Sequence, residues 1–322
     1  MRLQAFILTL LLSFALQSNA TPGCQPEELF DHAPKAPDDL SRLLEKAKEG
    51  NPEAQFRIGL AYEISLGVPR DYVQAASWYK KAADSGNPGA QNNLGGLYSR
   101  GLGVPQNYNE AFRWYTRAAA EGHPAAQNNL GFMYAEGRGV SPSDETAVFW
   151  YRKAAAKGYA GAETNLGVMY STGRGVPLDT EQAIKWYRKA TNSGYAPAEF
   201  ELGQMHFHGT GVPQNFPEAI KWFRRAAEHG SAAAQTQLGF AYSQGRGVAQ
   251  DYVQAERWYR LAAANGSAEA QHNLAVILAR VHGSEPGAPV EAESIPASKS
   301  QNLSVPDEDL PVRRFSLFGR ER

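Results

Sequence analysis

Three groups of side chains in this chain have the makings of a chemical site. Ser77-Trp78-Tyr79-Lys80 sets a hydroxyl three residues before an amine, with Ser85-Gly86-Asn87 just downstream. On a helix that spacing puts lysine one turn from serine, where an amine can take the hydroxyl proton for acyl transfer. His206 and His208 stand two apart in the run HFHG, and imidazole is the commonest metal ligand. The run QNNLG occurs at 91–95 and again at 127–131, and its paired carboxamides each donate and accept hydrogen bonds.

Spacing weakens the first two groups. Residues two apart on a helix project to opposite sides, so the histidines do not converge and no metal site is expected. The serine and lysine fall on the outward face of an amphipathic segment, with no oxyanion donors implied, and the chain has neither K-T-G nor H-E-x-x-H. No catalytic residue and no cofactor is therefore expected. The third group points elsewhere, because its two copies lie 36 residues apart and a fixed period is the mark of a repeat architecture.

Stacked at that period, the chain forms six gapless blocks beginning at Asn51, Asn87, His123, Tyr159, Tyr195 and Ser231, with a half block over 267–281. Numbering each block from 1, position 4 is alanine, position 8 is Ile58 or leucine, and position 12 is tyrosine in all but one block. That spacing makes one apolar stripe at a helical period. A second stripe follows: alanine at 25 and 32, Tyr or Phe at 29, and at 28 every tryptophan of the chain. The tryptophans are expected to form the core between paired helices, each ring removing about 150–250 Å² from water.

The ends of these helices are marked too. Position 21 is Asp71, Asn107, Ser143, Asp179, Asn215 or Asp251, all good N-caps, and Gln or Glu stands three residues on in five of six blocks, predicting a capping box. Glycine closes every block, suited to a left-handed C-cap, and a G-x-G turn parts the two helices. Each block thus reads as a helix-turn-helix hairpin that must stack on its neighbours to bury its apolar faces. The expected fold is all-α, an α-solenoid of such hairpins.

Flanking segments differ in character. Residues 1–20 carry Arg2, the apolar run from Ala5 to Leu16 and the small-residue pattern Ser18-Asn19-Ala20, which reads as a signal peptide, too short for the roughly 20 apolar residues of a span. The chain is accordingly expected to be exported, periplasmic or secreted, with no membrane span after cleavage. Residues 21–37 read as a flexible segment and 38–50 as an N-terminal capping helix. Residues 282–322, rich in Pro, Ser and Glu and ending in PVRRFSLFGRER, read as a disordered tail. Cys24 is the only cysteine, so no intrachain disulfide forms. Arg and Lys recur at positions 30 and 31, but they sit near helix C-termini, where cations offset the helix dipole, and the net charge is −1. Nucleic acid is not an expected partner.

The runs Q-x-x-L-G-x-x-Y, G-x-G-V-P-x-D-Y and A-x-x-W-Y-x-x-A-A-x-x-G resemble the Sel1-like repeat over residues 51–281. Tetratricopeptide repeats share the L-G-x-x-Y core, but their period is about 34 residues. The resemblance implies a right-handed superhelix acting as a non-enzymatic adaptor for a protein or peptide partner, and exported members are associated with envelope and host-interaction processes. It also implies that the first helices line a concave groove. There the ladder Asn92, Asn93, Asn128, Asn129 and Asn165, continued by Gln237 and Asn273, is expected to pair with an extended peptide backbone. Phe132, Phe200 and Phe240, with Phe207, would add apolar anchors. The alternative for the asparagines is a structural bond to the neighbouring helix. Alternatives for the whole chain are a periplasmic β-lactamase-like hydrolase built on Ser77 and Lys80, or a peptidoglycan- or glycan-binding module.

Overall fold

The computed structural model describes residues 37–282. The expected signal peptide, the segment expected to be flexible up to residue 36, Cys24 and the expected tail beyond residue 282 lie outside the described residues. Those described form fourteen helices and no strand, in two compact units that part between Ser193 and Gly194. The first unit runs α1 (Pro37–Lys48), α2 (Pro52–Ile64), α3 (Tyr72–Asp84), α4 (Pro88–Arg100), α5 (Tyr108–Ala120), α6 (Pro124–Glu136), α7 (Asp144–Ala155), α8 (Ala160–Thr172) and α9 (Thr180–Thr191). The second runs α10 (Ala196–His208), α11 (Phe216–Glu228), α12 (Ala232–Gln244), α13 (Tyr252–Ala264) and α14 (Ala268–His282). Within each unit the helices pair as antiparallel hairpins, α2 with α3, α4 with α5 and onward, and each hairpin packs on the next. Both units are thus α-solenoid stacks. No described helix is long and apolar enough to cross a membrane.

The predicted caps form, but in an altered way. Asp71 Oδ1 accepts from the backbone N–H groups of Val73 and Gln74 at 2.9 and 3.0 Å, and Asp251 does the same for Val253 and Gln254. The second half of a capping box would have the residue three positions on accept from the cap's own N–H. Instead that N–H reaches across the hairpin: Asp71 donates to the Tyr62 carbonyl at 3.1 Å and Asn107 to that of Tyr98 at 2.9 Å. The cap residue therefore starts the second helix and ties it to the end of the first. The box was the wrong motif because a tertiary acceptor is nearer.

The core also differs from the reading of its rings. Only Trp114 among the tryptophans is buried; the other five are half-buried. The central rings are those one residue later, Tyr79, Tyr115, Tyr151, Tyr187, Phe223 and Tyr259, all at most 5% exposed. Each packs against the glycine that follows the position-8 isoleucine or leucine. A Cβ on Gly131 would stand 2.7 Å from the Tyr151 ring, closer than packed carbons approach. Position 29 is thus the ring to which the paired helix is shaped. The tryptophans cover the seam from outside, with Lys81 over Trp78 at 4.0 Å and Arg225 over Trp222 at 4.9 Å, gaining cation–π contacts that a buried ring would forgo.

Loop glycines set the interval between hairpins. In unit two Gly247 has φ +75°, and a Cβ there would lie 2.6 Å from the Phe216 carbonyl carbon at the start of α11. Backbone touches backbone at that point, so any side chain would push the hairpins apart.

Candidate functional site

The asparagine ladder lies inside the first unit. Asn92 and Asn93 are 2% exposed, and Asn128 and Asn129 are buried beside them. Their carboxamides bond to one another. Asn129 Nδ2 donates to Asn92 Oδ1 at 3.0 Å, from α6 to α4, and Asn165 Nδ2 donates to Asn128 Oδ1 at 2.9 Å, from α8 to α6. Asn92 donates to Asn93 at 3.1 Å, and Asn93 to the Tyr79 hydroxyl, also at 3.1 Å. That hydroxyl in turn donates to Glu63 Oε2 at 2.7 Å, whose other oxygen meets Arg100 at 3.3 Å. The expectation that these four asparagines stand open in a groove is corrected: they sit between successive first helices, where an unbonded carboxamide would cost about 1–3 kcal/mol, and each spends its bonding on a neighbour. Asn165, half-buried, is the ladder's outermost rung in this unit. In the second unit Gln237 and Asn273 are also half-buried.

A second set of internal bonds, not anticipated from the sequence, clasps each hairpin to the one before. Gln91 and Gln127, at position 5, donate through Nε2 to the carbonyls of Ala83 and Ala119 at 3.3 and 3.1 Å, and Gln235 donates likewise to Ala227. Two blocks carry glutamate there, which cannot donate. Glu163 pairs with Lys189 at 3.0 Å, and that ammonium supplies the missing donor to the Ala155 carbonyl at 3.2 Å. Glu199, 0% exposed, is held by Arg225 at 3.0 Å and His229 Nδ1 at 2.7 Å. The sequence marks only the exchange, since glutamine is replaced by a carboxylate in these two blocks alone.

What remains at the surface of the first helices is aromatic and cationic. Phe132 on α6 is half-buried beneath the Arg138 guanidinium, 5.3 Å from the ring centre. In the second unit Phe240 on α12 lies beneath Arg246 at the same distance. The pairing appears where phenylalanine at position 10 coincides with arginine at position 16; with Val168 at position 10, Arg174 instead chelates Asp144 at 2.6–3.1 Å. Phe207 is less available, whereas Phe200 is half-buried like Phe132 and Phe240. Phe207 is 4% exposed in an aromatic cluster with Phe216 and Phe223, and Phe200 stacks on Phe223 at 5.7 Å.

Titration follows burial. The Tyr115 and Tyr151 hydroxyls are held well above the ordinary tyrosine range by desolvation. Burial pushes the Glu201 carboxyl up to about 7. His208 is lowered by burial and by Arg246. At the serine–lysine pair, Ser77 is exposed and the Lys80 ammonium is taken by Asp84 at 2.7 Å. Among the described residues no three His, Cys, Asp or Glu side chains gather as a metal site would need; His123 caps α6, accepting from Ala126 at 3.3 Å.

Comparison with known proteins agrees with this architecture. Six consecutive stretches, 52–87, 88–123, 124–159, 160–195, 196–231 and 232–267, match the Sel1 repeat family, each one residue downstream of the blocks above. No curated protein matches the chain. The crystal structure of a Sel1 repeat protein from Oxalobacter formigenes is 37% identical, covering 74% of this chain and 70% of that one, with a TM-score of 0.63. That of c5321, a protective antigen present in uropathogenic Escherichia coli strains and displaying an SLR fold, is 37% identical over 77% of this chain, with a TM-score of 0.61. This chain spans 53%, about half, of that antigen. Sel1 repeats generally mediate protein–protein interaction, and the family is generally a non-catalytic scaffold. Six matched repeats over two thirds of its length, folded as stacked hairpins, make this chain a member of the Sel1 repeat family.

Proposed function

We propose that this chain is an exported scaffold whose two units each hold a protein or peptide partner against the outer surface of their own first helices, in envelope or host-interaction processes. The observation that carries the reading is the half-buried Phe–Arg pair, Phe132 with Arg138 and Phe240 with Arg246, repeated at a spacing of three blocks. A rigid ring with a guanidinium across its face offers apolar area and a fixed fork of donors at low entropic cost, the chemistry enriched at binding hot spots. The buried asparagines serve this surface indirectly, by holding the helices that present it. Export rests on the N-terminal pattern of Arg2, the apolar run and Ser18-Asn19-Ala20.

Affinity capture from the native envelope fraction tests the binding half. Phe132→Ala combined with Phe240→Ala should release partners that the unsubstituted chain retains, with the melting temperature within a few degrees. Undiminished capture sinks the proposed surface. Intact mass of the protein in the exported fraction tests the other half: a chain beginning at Thr21 is expected, and a full-length protein confined to the cytoplasm contradicts export.

A further inference from the structure

On the opposite side of the third hairpin, the second helix breaks the pattern of its counterparts. Position 27 is Ser77, Arg113, Lys185, Lys221 or Arg257 in the other blocks but Phe149 in this one. Its ring is 50% exposed and stands edge-on to Trp150, with centroids 5.2 Å apart. The Lys153 ammonium lies over both rings, at 4.7 and 5.0 Å. Beside them is a shallow, open depression of about 470 Å³, floored by Val148 and Gly175 and edged by Arg152, Lys153 and Glu145. The Arg152 guanidinium is held in place by a bond to the Tyr170 hydroxyl at 3.0 Å. Among the described residues neither Arg152 nor Lys153 has a carboxylate partner.

An exposed ring costs solvation where a charged residue would not, and neither cation at its edge is neutralised by a carboxylate, whereas Lys80, at the repeat position of Arg152, is held by Asp84. The volume lies in the range of small-ligand clefts, enough for an apolar side chain together with a neighbouring carboxylate. We propose that this depression is a second docking site, distinct from the first-helix surface. Its occupant is a polypeptide segment in which an apolar side chain lies beside a carboxylate: the side chain enters between Phe149 and Val148, and the carboxylate meets Arg152 and Lys153. Glu145 at the far edge excludes a second negative charge there, which favours a single carboxylate over a phosphate run.

Titration of the ¹⁵N-labelled full chain with N-acetyl-phenylalanine carboxylate, followed through the Trp150 indole N–H and the Phe149 and Lys153 amides, tests this. The carboxylate should shift these resonances saturably in the millimolar range, and the neutral N-acetyl-phenylalaninamide should bind at least about fivefold more weakly, the worth of roughly one screened ion pair. Phe149→Lys, which installs the residue found at the same place in two other hairpins, should abolish the shifts and leave the rest of the spectrum in place. Phe132→Ala with Phe240→Ala should leave them unchanged, which separates this site from the first-helix surface. Absence of shifts at about 20 mM, equal binding of the amide, or retention in Phe149→Lys would each overturn the proposal. So would uridine monophosphate binding as tightly as the carboxylate, since that would mark a nucleotide surface.

Discussion

A single step along a helix separates the rings that hold this protein together from those that shield it. Tyr151 lies in the hairpin core against Gly131, whereas Trp150, one residue earlier, is half-buried under Lys153. Tyr151→Ala should therefore cost about 3–5 kcal/mol, and Trp150→Ala roughly 1–2 kcal/mol because part of its ring is already in water. Chemical denaturation of the two variants checks the order, and a larger loss at Trp150 would restore the tryptophan-centred core. Ring size misled the sequence reading here; the glycine at position 9 was the better guide, since it leaves room for a ring only at position 29. Glu201 makes a prediction of a different kind. Its carboxyl is raised from 4.5 to about 7 by burial, so the folded chain holds a proton that the unfolded chain releases. The resulting stabilisation is complete below pH 4.5 and is lost as pH rises through 7. The melting temperature of the unsubstituted chain, measured relative to Glu201→Gln, should fall across that window; a constant difference would place the carboxyl in water.

At the scale of the helix and its ends, most devices were legible because they depend on local chemistry: the Asx and Ser caps and the leucine stripe stand where the sequence puts them. What was not legible were bonds whose acceptor lies in another element, such as the cap N–H reaching Tyr62 or the Gln91 carboxamide reaching Ala83. Two substitutions test these ends. Ser65 closes α2 at φ +61°, where the other hairpins have glycine. Ser65→Gly should raise stability by about 0.5–1 kcal/mol as the left-handed strain outweighs the added freedom of the unfolded chain. In the second unit Asn265 donates to Gln235 Oε1 at 2.8 Å, while the corresponding Gln55 Oε1 is buried with no partner among the described residues. Ser85→Asn, which copies Asn265 into the first block, should add about 0.5–1.5 kcal/mol, read from the denaturation midpoint.

At the scale of the whole molecule, the repeat period gave the architecture outright, since each hairpin's apolar faces can be satisfied only by its neighbours. The candidate site was legible only in part. Period alone placed Asn92, Asn93, Asn128 and Asn129 on one side of the first helices, but the neighbour that covers that side is 36 residues away, and the asparagines bond across this gap. The Phe132–Arg138 and Phe240–Arg246 pairs were half visible, as phenylalanines without their arginines. The surface proposed for binding is therefore what the polar rungs leave uncovered, and the rungs belong to cohesion between hairpins. A double-mutant cycle on Asn92→Ala and Asn129→Ala measures that cohesion most directly. A coupling of about 0.5–1.5 kcal/mol in unfolding free energy is expected for two buried carboxamides bonded at 3.0 Å. Additivity to within about 0.3 kcal/mol would mean that the two side chains act independently, and the division between rung and binding face would fall.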